Sequence, residues 1–128
     1  MLKLNTIYCL IAASVLAVVH YVSLELYLYW RYLWLDMPVH ALGGAIVALA
    51  VFVPYDLGFK GPKRWLELKS VLLIVLMVAL IWEVYELMIG IPIEDDYLFD
   101  TITDLLMGLG GGLIGYLVGK RLYEFKKF

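Results

Sequence analysis

The chain has 128 residues, of which 64% are hydrophobic and 17% charged, with a mean hydropathy of +0.89. That lies far above the roughly 45–50% apolar content of an average soluble domain. It excludes a soluble four-helix bundle, in which every helix carries a polar stripe, and points to one integral membrane domain over residues 1–128. The net charge of −2 excludes little by itself, and the lone Cys9 rules out an internal disulfide and a cysteine-based metal site.

Four apolar segments approach the roughly 20 residues that a spanning helix needs. The first covers about residues 4–24. It opens like a signal peptide, with Lys3, an apolar core and Val15-Leu16-Ala17, but the run continues past that site, so an uncleaved span is expected. The second covers about 38–55, with Pro38 in a first helical turn and Asp36 as a candidate cap. The third covers about 68–89 and is stopped by Gly90 and Pro92. The fourth covers about 98–122. The fold class expected is therefore all-α, a four-helix membrane bundle.

Charge orients it. Lys3, Lys60, Lys63, Arg64, Lys69, Lys120, Arg121, Lys126 and Lys127 fall on one side, and Arg31 alone on the other. The positive-inside rule makes the first side, with both termini, cytoplasmic. The opposite side collects Glu25, Asp36, Glu83, Glu86, Glu94, Asp95, Asp96, Asp100 and Asp104. Glu94, Asp95 and Asp96 read as a solvated loop. Tyr27, Tyr29, Trp30, Tyr32 and Trp34 form an outer aromatic belt, with Tyr55 and Trp65 as the inner one.

Three of the spans carry paired ionisable groups at helical spacing: Asp36 and His40, Glu83 and Glu86, Asp100 and Asp104. Each pair runs along a small-residue face. Gly43, Gly44 and Ala48 follow the first, Ala79 and Gly90 flank the second, and Gly108, Gly111, Gly112, Gly115 and Gly119 follow the third. Such faces are where membrane helices approach closely, so the acids are expected to look inward. Glu83 lies about 9 Å down the axis from Ile89, a depth at which a bare charge costs at least ~2.5–3.5 kcal/mol. Asp36 and Asp100 also suit plain helix-start acids. Glu83 and Glu86 do not, because they sit at a C-terminal end, where the helix dipole disfavours anions.

Five carboxylates and one imidazole cannot share a buried pocket fully ionised, since two like charges 4 Å apart repel by about 4 kcal/mol at an effective dielectric of 20. Either some are protonated or a cation holds them. The donor set favours Mg²⁺ or Mn²⁺, with Zn²⁺ or Fe²⁺ less suited. Glu83, Glu86, Asp100, Asp104 and His40 are the candidate metal ligands, and His40, as ligand or as general base oriented by Asp36, is the candidate catalytic group. His20 reads as an interhelical hydrogen-bonder that can join the cluster. No catalytic serine triad, P-loop or nucleic-acid pattern occurs.

The arrangement Asp36-x-x-x-His40-x-x-Gly43, Glu83-x-x-Glu86 and Asp100-Thr101-x-x-Asp104 resembles the YjdF-like and VanZ-like small prokaryotic membrane proteins over about residues 36–119. The fit is better to the YjdF-like pattern, because VanZ-like sequences usually show Glu-x-x-Gln and an arginine before the aspartate. The resemblance implies a multi-pass protein of a prokaryotic cytoplasmic membrane, with VanZ-like members linked to glycopeptide resistance through the cell envelope. It implies no settled reaction. From the residues themselves we expect a metal-dependent enzyme acting on a lipid or lipid-linked phosphate headgroup, or else a cation- or proton-coupled transporter component, or a non-catalytic lipid-binding envelope protein. The expected partner is a membrane lipid or lipid-linked substrate, with a homo-oligomer left open and no nucleic acid.

Overall fold

The computed structural model describes residues 3–92 and 96–125. Glu94, Asp95, Lys126 and Lys127, which entered the charge pattern, lie outside the described residues. Helix α1 runs Leu4–Glu25, a short α2 Leu28–Arg31, α3 Asp36–Asp56, α4 Leu68–Ile89 and α5 Tyr97–Phe125. There is no strand among the described residues. Four helices are long and apolar enough to cross a membrane, so the chain is a multi-pass helical bundle.

Burial is inverted relative to a soluble protein. Leu10, Ile11, Val18, Ile81, Met88, Leu106 and Ile114 are exposed, whereas Asn5, Thr6, Asp36, His40, Glu83, Glu86 and Asp104 are buried. Lipid solvates the apolar faces, so polar side chains find partners only inside the bundle.

The bundle is built on the α3–α5 seam, the most extensive contact in the molecule. Glycine makes it possible. A Cβ at Gly111 would collide with the carbonyl of Ala41, one at Gly44 with the carbonyl of Gly108, and one at Gly115 with that of Ala45. The two backbones therefore touch along the stripe expected from the sequence. On the other face of α5, a Cβ at Gly112 would lie 2.8 Å from Val75 of α4. Ala48, Phe52, Val71, Val75 and Tyr116 close the interior between α3, α4 and α5. A second apolar group, Tyr29, Val39 and Ile91, seals the opposite end.

Helix ends fix the depth of the side chains. α4 stops at Gly90, whose left-handed φ of 75° lets its N–H and that of Ile91 both reach the Glu86 carbonyl, at 3.0 and 3.2 Å. α3 begins at Asp36, directly after a 3₁₀ turn at Leu33–Leu35; the cap position falls on Leu35, which gives no side-chain hydrogen bond, so Asp36 is the first helical residue and not the cap. Its carboxylate turns into the bundle instead. The cap on α5 is Asp96, whose Oδ1 accepts from the N–H groups of Leu98 and Phe99 at 3.0 and 3.3 Å. Asp96 is thus a structural acid and more than a solvated loop residue.

Candidate metal centre

The start of α3, the end of α4 and the start of α5 meet at one end of the bundle. His40 is 5% exposed there, and its Nε2 is ringed by four carboxylates. Glu86 Oε2 lies at 3.4 Å, Asp36 Oδ1 at 3.5 Å, Glu83 Oε1 at 3.7 Å and Asp104 Oδ2 at 3.9 Å. Asp104 is 2% exposed. Asp36, His40, Glu86 and Asp104 each offer a ligand atom within 4.8 Å of all the others.

Hydrogen bonding alone does not satisfy this ring. An imidazole Nε2 carries at most one proton, and among the described residues its one hydrogen-bond contact is the long one to Glu86. Asp36 Oδ1, Glu83 Oε1 and Asp104 Oδ2 are buried with no hydrogen-bond partner among the described residues. Three orphaned carboxylate oxygens aimed at one nitrogen call for a cation, for further donors or for protonation of some of the acids.

The spacing leaves room for a metal ion. Ligand atoms around a four-coordinate ion with bonds of about 2.0–2.1 Å lie about 3.3–3.4 Å apart, which matches His40 to Glu86 and to Asp36. Around a six-coordinate ion with bonds of about 2.0–2.1 Å, adjacent ligands sit about 2.9 Å apart, and the ring would draw in by about 0.5–1.0 Å. The donors are oxygen-rich with a single imidazole, a set open to either class of ion.

Supporting residues surround the ring. Trp82 donates its indole N–H to Glu86 Oε1 at 2.7 Å, and Thr101 donates its hydroxyl to Glu83 Oε2 at 3.3 Å. Each fixes the outer oxygen of a carboxylate whose inner oxygen faces His40, the second-sphere role common around metal ligands. Thr101 stands in the Asp100-Thr101-x-x-Asp104 motif; Trp82 did not stand out in the sequence, although it lies one helical turn before Glu86. Asp100 is brought to the same end but outside the tight ring. It lines a small cavity with Asp36, Glu83, Glu86 and Tyr97. His20 does not join the acids. Its Nδ1 meets Tyr29 Oη at 2.8 Å and its Nε2 meets Tyr85 Oη at 3.1 Å, with the Trp82 ring edge-on at 5.1 Å between centroids.

Fold and site together define a multi-pass helical membrane protein with a buried carboxylate–histidine cluster able to hold a metal ion. The chain belongs to the family described as "Predicted membrane protein (DUF2238)", which it matches over residues 2–124. No curated protein and no solved structure matches it.

Proposed function

We propose that the chain is a metal-dependent enzyme of a prokaryotic cytoplasmic membrane, acting on the phosphate headgroup of a lipid or lipid-linked substrate at the outer face. The observation that carries this is the ring of four carboxylates from three helices on His40 Nε2, with three oxygens left unpartnered. The basic residues at the opposite end set the orientation, and the YjdF-like pattern of the motifs agrees with such a membrane.

A bound divalent ion supplies Lewis-acid polarisation of a phosphoryl oxygen and neutralises the acids. Of the two roles open to His40, ligand fits better than base, because the nitrogen that would take a proton is the one all four carboxylates face. Glu86 and Asp104 complete the tight set with Asp36, and Glu83 joins from 3.7 Å. Asp36 also lines the small cavity beside Asp100. From there its carboxylate can take a proton from a water or hydroxyl entering from the headgroup region. Asp100, on the rim, serves as an outer ligand or holds that water.

Elemental analysis of the purified protein tests the centre. The wild type should carry a divalent ion in near-stoichiometric amount, and Glu83→Gln and Asp104→Asn should each lower that content several-fold. Phosphate release from vesicles of phosphatidic acid or a polyprenyl diphosphate should fall in parallel. A wild-type protein that stays metal-free after incubation with Mg²⁺, Mn²⁺, Zn²⁺ and Fe²⁺ would refute the proposal.

A further inference from the structure

A second cavity, of about 150 Å³, lies on the membrane-interior side of the ring. It is bounded by α1, α3 and α4 and by Gly108 of α5, with His40 at one end and Leu16, Val47, Val78 and Trp82 among its walls. From His40 to Val47 is about 10 Å along α3 at 1.5 Å per residue. The centre is therefore sandwiched between the small polar cavity and this apolar one. α1 and α4 meet through His20, which contacts Tyr85 and Trp82, on the headgroup side of the cavity. Below these contacts the two backbones stay apart and the exposed Val78 lines the cavity, which places a side entrance there.

Gly43 marks the cavity as more than a packing fault. The other glycines of the bundle interior are crowded or in ordinary contact, but a Cβ at Gly43 would meet nothing within 4 Å. Helix packing does not require glycine there, and glycine is a poor helix residue. Its adjacent neighbour Gly44 is pressed on the Gly108 carbonyl. What the missing side chain at Gly43 provides is room. The room is apolar, disfavours water, and at about 150 Å³ is the size that takes a body of roughly six carbons. In a bilayer the abundant molecule of that chemistry is a hydrocarbon chain.

We propose that this cavity holds the headgroup-proximal methylenes of a single lipid chain, which enters between α1 and α4 while its phosphate rests at the carboxylate–histidine centre. The position of the phosphate rests on the metal-centre proposal; the chain slot does not.

The probe is a phosphatidic acid with a diazirine within the first six carbons of one acyl chain, diluted in phosphatidylcholine vesicles holding the full chain. Leu16 and Val47 are partly buried and line the cavity, whereas Ile81 and Met88 face lipid. Irradiation should label Leu16 and Val47 as well as Ile81 and Met88. Gly43→Leu, which fills the cavity from α3, should cut Leu16 and Val47 labelling several-fold. It should leave the Ile81 and Met88 labels, metal content and thermal midpoint at or above wild type. Val78→Phe fills it from α4 and should act alike, so a folding defect in one variant does not decide the matter. Wild-type labelling confined to Ile81 and Met88, or Leu16 and Val47 labelling unchanged in both variants, would overturn the slot. The same diazirine on phosphatidylcholine should label Leu16 and Val47 less; equal labelling overturns the phosphate's place at the centre while keeping the chain slot. A metal-free protein that still labels Leu16 and Val47, with the labels lost in both variants, supports the slot and ends the metal reading.

Discussion

Two glycine-to-alanine substitutions in the same helical bundle should have opposite signs, and the pair tests the geometry on which the site depends. At Gly43 an added Cβ meets nothing within 4 Å. Gly43→Ala therefore gains the helix-propensity difference of about 1 kcal/mol with no steric cost. At Gly111 the added Cβ falls on the carbonyl of Ala41, with the Ala41 Cα only 2.8 Å away. Both partners are backbone, so no rotamer change relieves the overlap, and α3 must move off α5. Overpacking of a deformable core costs typically 1–3 kcal/mol; a backbone-on-backbone clash belongs at the top of that range or beyond. Set against the same gain of about 1 kcal/mol, Gly111→Ala should still destabilise by about 2 kcal/mol. Thermal unfolding in detergent reads both. At about 2–8 °C per kcal/mol, Gly43→Ala should raise the midpoint by a few degrees and Gly111→Ala lower it clearly. The second variant should also lose bound metal, because the seam it opens carries Asp104 two helical turns before Gly111. If Gly111→Ala unfolds at the wild-type temperature, the backbones do not touch as described, and the inward aim of Asp104 goes with that contact.

Trp82→Phe removes the 2.7 Å bond to Glu86 Oε1 but leaves every ligand in place. It should weaken metal affinity by about 10–100-fold in a competition titration, and an unchanged affinity would show that Glu86 needs no outer support. Burial, and after it the charges of Asp36 and Glu86, push the Tyr29 phenol well above its usual range. The unfolded chain releases that proton from about pH 10 while the folded one keeps it, so stability should fall as pH rises past about 10. Tyr29→Phe should flatten the dependence of the unfolding midpoint between about pH 9 and 11, and parallel curves for the two proteins would refute this assignment. Reporter fusions at Gly61 and at the C-terminus should read cytoplasmic and one at Asp96 external, a topology set by the basic residues; a cytoplasmic signal at Asp96 would reverse the outer placement of the site.

Helical spacing made most of the ring legible in advance. Asp36 and His40 are one turn apart, as are Glu83 and Glu86, and each pair runs into small residues, so the face that packs and the face that carries charge are the same face. The glycine stripe of α5 was legible for the same reason. Legibility stopped where a position depends on a turn or on depth. Asp100 shares a stripe with Asp104, yet it sits one turn nearer the helix start and so lines the outer cavity beyond the tight ring. One partner of His20, Tyr29, follows from a reversal after α1 in which Tyr27 takes a left-handed φ of 53°, a conformation that tyrosine rarely adopts and no periodicity announces. Gly43 and Gly44 look alike in the chain, but about 100° of helix rotation separates them, enough to put one on the seam and the other on a cavity.

A polar pocket and a polar path differ in what lies beyond the charged groups. Past His40 the interior of α3, α4 and α5 is closed by Ala48, Phe52, Val71 and Val75, each no more than 1% exposed. The next buried polar groups are Asn5, Thr6 and Asp56, at the far end. Sixteen residues of α3 separate His40 from Asp56, about 24 Å at 1.5 Å per residue, and no charged side chain of these three helices lies between the two ends. An ion crossing that stretch would give up its hydration to a packed apolar plug, a cost of at least several kcal/mol with nothing polar to offset it. A cation held by Asp36, His40, Glu86 and Asp104 would thus have a way in from the headgroup end and none onward through the bundle. Among the described residues, then, the charged cluster is a pocket with no polar route onward between α3, α4 and α5.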